Sequence, residues 1–191
     1  MAAIGVLALQ GDWAAHSEVL RALGAEVCTV RTAADLELVG SLIMPGGEST
    51  AMLRLMEPQN LAPAIADRAA AGMAILATCA GVILLAQAVL PEQPCLGVLD
   101  IDVERNAYGR QLYSTVSDIR VSSELGNPQA MEAVFIRAPR IVRYGPAVEI
   151  LGRWGDDVVL VRQGKVLAAT FHPELSDDLR VHELFLHMED E

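Results

Sequence analysis

Two short segments carry residues able to do chemistry together. Ala77-Thr78-Cys79-Ala80-Gly81 stands between a short apolar run and an apolar stretch of helical character. Small residues on both sides of a nucleophile are what a strand-turn-helix elbow requires, because the nucleophile sits in a strained turn and neighbouring backbone passes close to it. A cysteine there meets a helix amino terminus, whose dipole favours the thiolate. A free cysteine also packs as a small hydrophobe, and this segment alone does not choose between the two. Phe171-His172-Pro173-Glu174 supplies what the nucleophile lacks. A thiol needs a base, and the base needs an orienting group. His172 and Glu174 lie two positions apart, so in extended chain their side chains share a side, with Pro173 stiffening the link. His172 would take the thiol proton and later deliver one to a leaving amine, while Glu174 accepts the other imidazole N–H and fixes the tautomer. His-x-Glu also opens the zinc deaminase signature, which needs Pro-Cys-x-x-Cys. Pro94-Cys95-Leu96-Gly97-Val98 lacks the second cysteine, so neither a metal nor a cofactor is expected.

Three further segments could receive a substrate. Pro45-Gly46-Gly47-Glu48-Ser49-Thr50 follows a strand and opens a helix, with Ser49 or Thr50 available as its cap. Successive glycines let bare backbone approach a ligand. A glycine N–H here, paired with that of Ala80, would form an oxyanion hole for a tetrahedral intermediate. No Gly-Lys-Ser/Thr follows, which argues against a phosphate loop. Glu104-Arg105-Asn106-Ala107-Tyr108-Gly109-Arg110-Gln111 and Phe135-Ile136-Arg137-Ala138-Pro139 are polar for their apolar surroundings. Arginine holds carboxylates in a bidentate fork, so either could take an amino-acid α-carboxylate; a solvated loop is the alternative. His16, His182 and His187 fall in expected helices and read as surface or packing residues. Cys28 and Cys95 have no elbow or base beside them and read as inert thiols, and Met52, Met56 and Met73 as core filler.

The elements that must hold these residues alternate in the first half. Strands are expected over 4–9, 26–30, 41–44 and 73–77, and helices over 13–23 (capped by Asp12, closed by Gly24), 32–39, 61–71 and 82–90. That alternation implies a mostly parallel sheet covered on both faces, with ligands at the carboxyl ends of its strands. After Pro91 the pattern turns to short β-branched runs at 96–103, 113–117, 133–136 and 148–151, then 158–162 and 165–171 around a Gln163-Gly164 turn. These are expected to extend the same sheet in antiparallel fashion before a last helix over 178–188.

The 191 residues carry 14 Lys+Arg against 25 Asp+Glu, a formal net charge of −11, which argues against nucleic acid as the main partner. With 52% hydrophobic residues and no linker or repeat, a single domain over 1–191 is expected. The longest apolar stretch, 82–90, is broken by Gln87 and stopped by Pro91, too short for a bilayer, and the amino terminus lacks the basic region of a signal peptide. Three scattered cysteines suit a reducing cytoplasm.

As a set these motifs resemble a known family. Ala-Leu-Gln-Gly at 8–11, Pro-Gly-Gly-Glu-Ser-Thr at 45–50, Thr-Cys-Ala-Gly at 78–81, Glu-Arg-Asn-Ala-Tyr-Gly-Arg-Gln at 104–111, Phe-Ile-Arg-Ala-Pro at 135–139 and Phe-His-Pro-Glu-Leu at 171–175 look like the glutaminase subunits of pyridoxal 5′-phosphate synthase, which are triad (class I) glutamine amidotransferases. The resemblance implies a flavodoxin-like three-layer sandwich of the α/β class, its mostly parallel central sheet extended by antiparallel strands. It implies that Cys79 attacks the side-chain amide of L-glutamine to give a glutamyl thioester and ammonia, with His172 and Glu174 completing the triad. Gly47, Glu48 and Ser49 would contact glutamine, Arg105 with Ile136 and Arg137 would complete its pocket, and Gly47 with Ala80 would supply the oxyanion donors. It implies a partner too: a barrel-shaped synthase subunit, forming a dodecameric core, that receives the ammonia and switches the glutaminase on, with Gln10 part of that coupling. The family's elbow usually begins with Gly where this sequence has Ala77; the added methyl either fits at the strand end or tightens the elbow. Two rivals are a free-standing cysteine hydrolase on the same fold, against which the Glu-Arg-Asn block argues, and a non-catalytic subunit, which loss of a triad residue would mark. All three triad residues are present.

Overall fold

A computed structural model describes residues 3–108, 114–126 and 130–189. Gly109, Arg110, Gln111 and Tyr113, which belong to expected elements, lie outside the described residues. The first half follows the alternating pattern: β1 (Ile4–Leu7), α1 (Trp13–Ala22), β2 (Val27–Val30), α2 (Ala33–Glu37), β3 (Ser41–Met44), α3 (Ser49–Met56), α4 (Leu61–Ala70), β4 (Ala74–Thr78) and α5 (Ala80–Leu85). β5 (Ala88–Leu90), β6 (Ile101–Glu104), β7 (Ser114–Val121), β8 (Ala130–Ile136), β9 (Arg140–Tyr144), β10 (Glu149–Trp154), β11 (Asp157–Gln163), β12 (Val166–Ala169) and α6 (Arg180–Glu189) complete it.

Nine strands form one sheet in the order β2-β1-β3-β4-β12-β11-β10-β7-β8. The first five are parallel to one another, and the other four join antiparallel. Side chains alternate across a strand, so successive residues of β3 and β4 serve opposite faces. Leu42, Met44, Ile75 and Ala77 pack under α2 to α5 with Leu36, Met52, Ile65 and Val82. Ile43 and Leu76 pack on the other face with Leu20 of α1 and Val181 and Phe185 of α6. These are helical layers on both sides of a sheet, as the alternating pattern implies. Among the described residues no helix is long and apolar enough to cross a membrane.

Several local expectations are corrected. The helix expected over 82–90 stops at Leu85, because the Gln87 N–H is drawn to the Ile101 carbonyl and residues 88–90 pair with β6. Of the strand expected over 96–103, only its end forms, and it does not extend the main sheet: β5, β6 and β9 make a separate three-stranded sheet. No strand is expected from the sequence where β9 forms. The two-residue turn between β11 and β12 is Gly164-Lys165, one position later than expected, since Gln163 still pairs with Val166. Asp12 precedes α1 without capping it by side chain, and α3 is capped by neither Ser49 nor Thr50. The Glu48 carboxylate takes that place, accepting the Thr50 and Ala51 N–H groups at 3.2 and 2.8 Å.

The strand order decides what meets what. β12 returns from the antiparallel half to lie beside β4, in register Ala169 to Thr78, while β3 flanks β4 on the other side with Met44 opposite Ala77. The segments leaving the carboxyl ends of β3, β4 and β12 therefore emerge together.

Candidate active site

Cys79 occupies the turn between β4 and α5 with φ +44° and ψ −101°, a backbone conformation that a non-glycine residue rarely adopts. The elbow is pinned on one side by its own N–H, which donates to the Ala169 carbonyl at 2.9 Å. On the other side Gly81 lets the helix close on β3: a Cβ there would come within 2.2 Å of the Met44 carbonyl oxygen. Ala77 lies fully buried in the core beneath α5. The Cys79 Sγ lies 3.7 Å from the Ile136 carbonyl oxygen.

His172 follows β12, and its N–H donates to the Val134 carbonyl at 2.8 Å, tying it to β8. Its Nδ1 lies 2.7 Å from Glu174 Oε1, and the carboxylate is completely buried. Burial works to lower the basicity of the ring, but Cys79 and the Glu174 carboxylate beside it outweigh that and raise the His172 pKa to about 10. The imidazole thus holds a proton at neutral pH, the state in which it can protonate a leaving group. Gly46, in the loop after β3, makes room for the ring: a Cβ there would stand 2.3 Å from His172 Cε1. The absence of a side chain at Gly46 thus admits the His172 ring.

Cys79 and His172 open onto a cavity of about 350 Å³ whose walls include Gly47, Glu48, Ser49, Arg105, Ile136 and Arg137. Every residue assigned to the substrate pocket from the sequence therefore reaches one space. Ala80, assigned as an oxyanion donor, opens α5, where the first N–H groups of a helix have no intrahelical acceptor. Gln10 accepts the Glu48 N–H at 2.6 Å, so the amino-terminal block touches the glycine loop directly. Arg137 and Asn106 both hold positive φ, as expected where backbone is bent to face a pocket.

Three residues with contacts here carried no signal in the sequence. Gln93 Oε1 accepts from Arg105 Nη1 at 2.6 Å and from Ser49 Oγ at 3.1 Å, joining two walls of the cavity. His16 and His182, read as surface or packing residues, are fully buried behind His172 and Glu174, with His16 Nε2 3.2 Å from Glu174 Oε2 and His16 Nδ1 3.0 Å from His182 Nε2. His187 is exposed. Cys28 is exposed and Cys95 half-buried, its thiol pKa pushed up by burial; neither lines the cavity. Among the described residues, one group of ligating atoms converges within 4.8 Å, that of Asp12, His172 and Glu174. Within that group His172 Nδ1 is already engaged by Glu174.

Comparison with known proteins gives a consistent result. The model of the SNO glutamine amidotransferase family matches residues 6–191. Proteins named pyridoxal 5′-phosphate synthase subunit PdxT share 50% identity in Thermotoga neapolitana, over 97% of this chain and 98% of theirs, and 52% in Thermus thermophilus, over 97% and 96%. A crystal structure described as a glutamine amidotransferase superposes with a TM-score of 0.91 at 47% identity, covering 98% of this chain and 99% of that one. A putative GMP synthase protein from Thermoplasma acidophilum, 17% identical with a TM-score of 0.75 over 100% of this chain and 94% of its own, shares the fold.

Proposed function

Since the chain belongs to the SNO glutamine amidotransferase family, we propose that it is the glutaminase subunit of a pyridoxal 5′-phosphate synthase, hydrolysing L-glutamine to L-glutamate and ammonia through Cys79, His172 and Glu174. The observation that carries this reading is the pairing of His172 with buried Glu174 at 2.7 Å on the same cavity as the strained Cys79 elbow.

The Cys79 thiolate attacks the side-chain amide carbon of glutamine, and charge develops on the amide oxygen. The N–H groups of Gly47 and Ala80 receive that oxyanion. His172 gives its proton to the nitrogen as the C–N bond breaks, releasing ammonia and leaving a glutamyl thioester on Cys79. The now neutral ring takes a proton from water as water adds to the thioester, and the C–S bond breaks to return thiolate, imidazolium and glutamate. Glu174 holds the ring in orientation throughout. At the far end of the substrate, Arg105 and Arg137 suit the α-carboxylate and Glu48 the α-ammonium, with Ser49 and Ile136 completing the walls.

The ammonia passes to the barrel-shaped partner of a dodecameric synthase core. Gln10, bonded to the glycine loop, lies where such a partner could act on the oxyanion donors. The whole chain, 1–191, serves as one amidotransferase domain, and its three free cysteines suit the reducing cytoplasm. Ammonia release from L-glutamine, measured with and without the synthase partner in wild type and Cys79→Ala, tests the reading. Activity that rises with the partner and falls at least about 1,000-fold in the variant is expected; activity that survives the substitution would refute it.

A further inference from the structure

Glu174 uses one oxygen on His172, and the other lies in the protein interior. Oε2 makes no hydrogen bond, and His16 Nε2, from the opposite end of the chain, lies 3.2 Å from it. The same Nε2 lies 3.1 Å from Thr78 Oγ1, the residue before the nucleophile, and His16 Nδ1 lies 3.0 Å from His182 Nε2 of α6. All these side chains are buried. We propose that neutral His16, protonated on Nε2, is a positioning residue of the triad: its N–H, bonded to Thr78 Oγ1, sets a positive hydrogen beside the otherwise unpartnered Glu174 Oε2 and steadies the carboxylate that holds His172, and His182 fixes its tautomer. The inference deepens the reading of Glu174 as the third triad member and rests on it.

Electrostatics choose the tautomer. With the proton on Nδ1, His16 would turn the Nε2 lone pair toward a carboxylate oxygen 3.2 Å away, two electron-rich atoms without a hydrogen between them. With the proton on Nε2, a positive hydrogen is directed to Thr78 Oγ1 and lies beside Oε2, and Nδ1 is left to accept from His182 Nε2–H. His182 Nδ1, which has no hydrogen-bond partner, is then a bare acceptor. The opposite arrangement would leave a buried N–H there without a partner, the rarer and costlier defect. A charged pair is disfavoured as well. Burial and the neighbouring His182 and His172 keep the His16 pKa well below its ordinary value, and burial lowers that of His182 to about 4. The arrangement sets a polar hydrogen beside a buried carboxylate without adding a charge that would compete with the His172 imidazolium.

Two measurements test this on the full chain. A long-range nitrogen–proton correlation spectrum of wild type labelled with nitrogen-15 histidine reads each ring directly; at neutral pH His16 is expected neutral with its proton on Nε2. An Nδ1-protonated or doubly protonated His16 would overturn the proposal, whether or not any variant folds. In the complex with the synthase, His16→Leu removes the donor and is expected to lower kcat about 10- to 100-fold with KM for glutamine little changed, a magnitude taken by analogy from outer-shell partners of metal-bound histidines. His16→Gln, whose amide can return an N–H, is expected to recover most of that loss. Wild-type kcat in His16→Leu, or equal loss in both variants, would overturn it. A wild type that releases no ammonia would instead strike the triad reading, while the spectrum would still decide the tautomer.

Discussion

At the scale of single residues, Glu174 separates orientation from charge. Replacing it by Gln keeps the volume but offers an amide where His172 Nδ1–H needs an acceptor, and the ring is then free to take the wrong tautomer. Glu174→Gln is expected to lower kcat about 100- to 10,000-fold with a smaller change in KM, read by steady-state ammonia release. Cys79, His172 and Glu174 stood out in the sequence because their signals are local, an elbow of small residues and a histidine and a glutamate two positions apart, whereas Arg105, Ile136 and Arg137 were singled out as pocket residues only by the family resemblance. His16 and His182 did not stand out. They lie 166 positions apart, each in an unremarkable amphipathic helix, and meet only because α1 and α6 cover the same face of the sheet. Gln93 was hidden similarly, since nothing near it announces that it will bridge Ser49 and Arg105.

At the scale of elements, the parallel half was readable because each strand ends in a turn and each helix buries one stripe. The second half was not, because β-branched runs specify strands without specifying partners. β5, β6 and β9 pair away from the main sheet, and helix α5 is cut short by hydrogen bonds to a segment more than ten residues on. Least legible was the insertion of β12 beside β4, yet that step brings His172 to Cys79. The elbow depends on close contact between α5 and β3, whose backbone cannot yield. Gly81→Ala sets a methyl 2.2 Å from the Met44 carbonyl oxygen, so helix and strand must separate. The expected cost is about 2–3 kcal/mol, or roughly 5–10 °C in Tm for a chain of this size, measurable by thermal unfolding. An unchanged Tm would mean that the helix start is softer than its packing indicates.

At the scale of the whole molecule, three buried histidines set the pH range of the fold. His172 has a folded-state pKa near 10, above its ordinary 6.5, so its contribution is complete below pH 6.5 and is lost as pH rises through about 10. His182, lowered to about 4, and His16, lowered too, act in the other direction: the unfolded chain binds protons that the folded one refuses, so stability falls as pH drops below 6.5 toward 4. For His182 alone the swing is about 3 kcal/mol. Chemical denaturation across pH should show a maximum near pH 6.5 to 7, with an acid limb that flattens when His182 is replaced by Leu in a variant that still folds. A stability that climbs steadily toward pH 4 would contradict this account.

The covalent role of Cys79 is the central claim, and a chloroketone analogue of L-glutamine probes it most directly. The Cys79 sulfur displaces chloride from the analogue, and peptide mass spectrometry locates the new thioether. One equivalent of label is expected on Cys79, with loss of ammonia release in proportion and protection by glutamine, while Cys28 and Cys95 stay free. Activity lost through label on Cys28 or Cys95, or full labelling of Cys79 with ammonia release intact, would contradict the account.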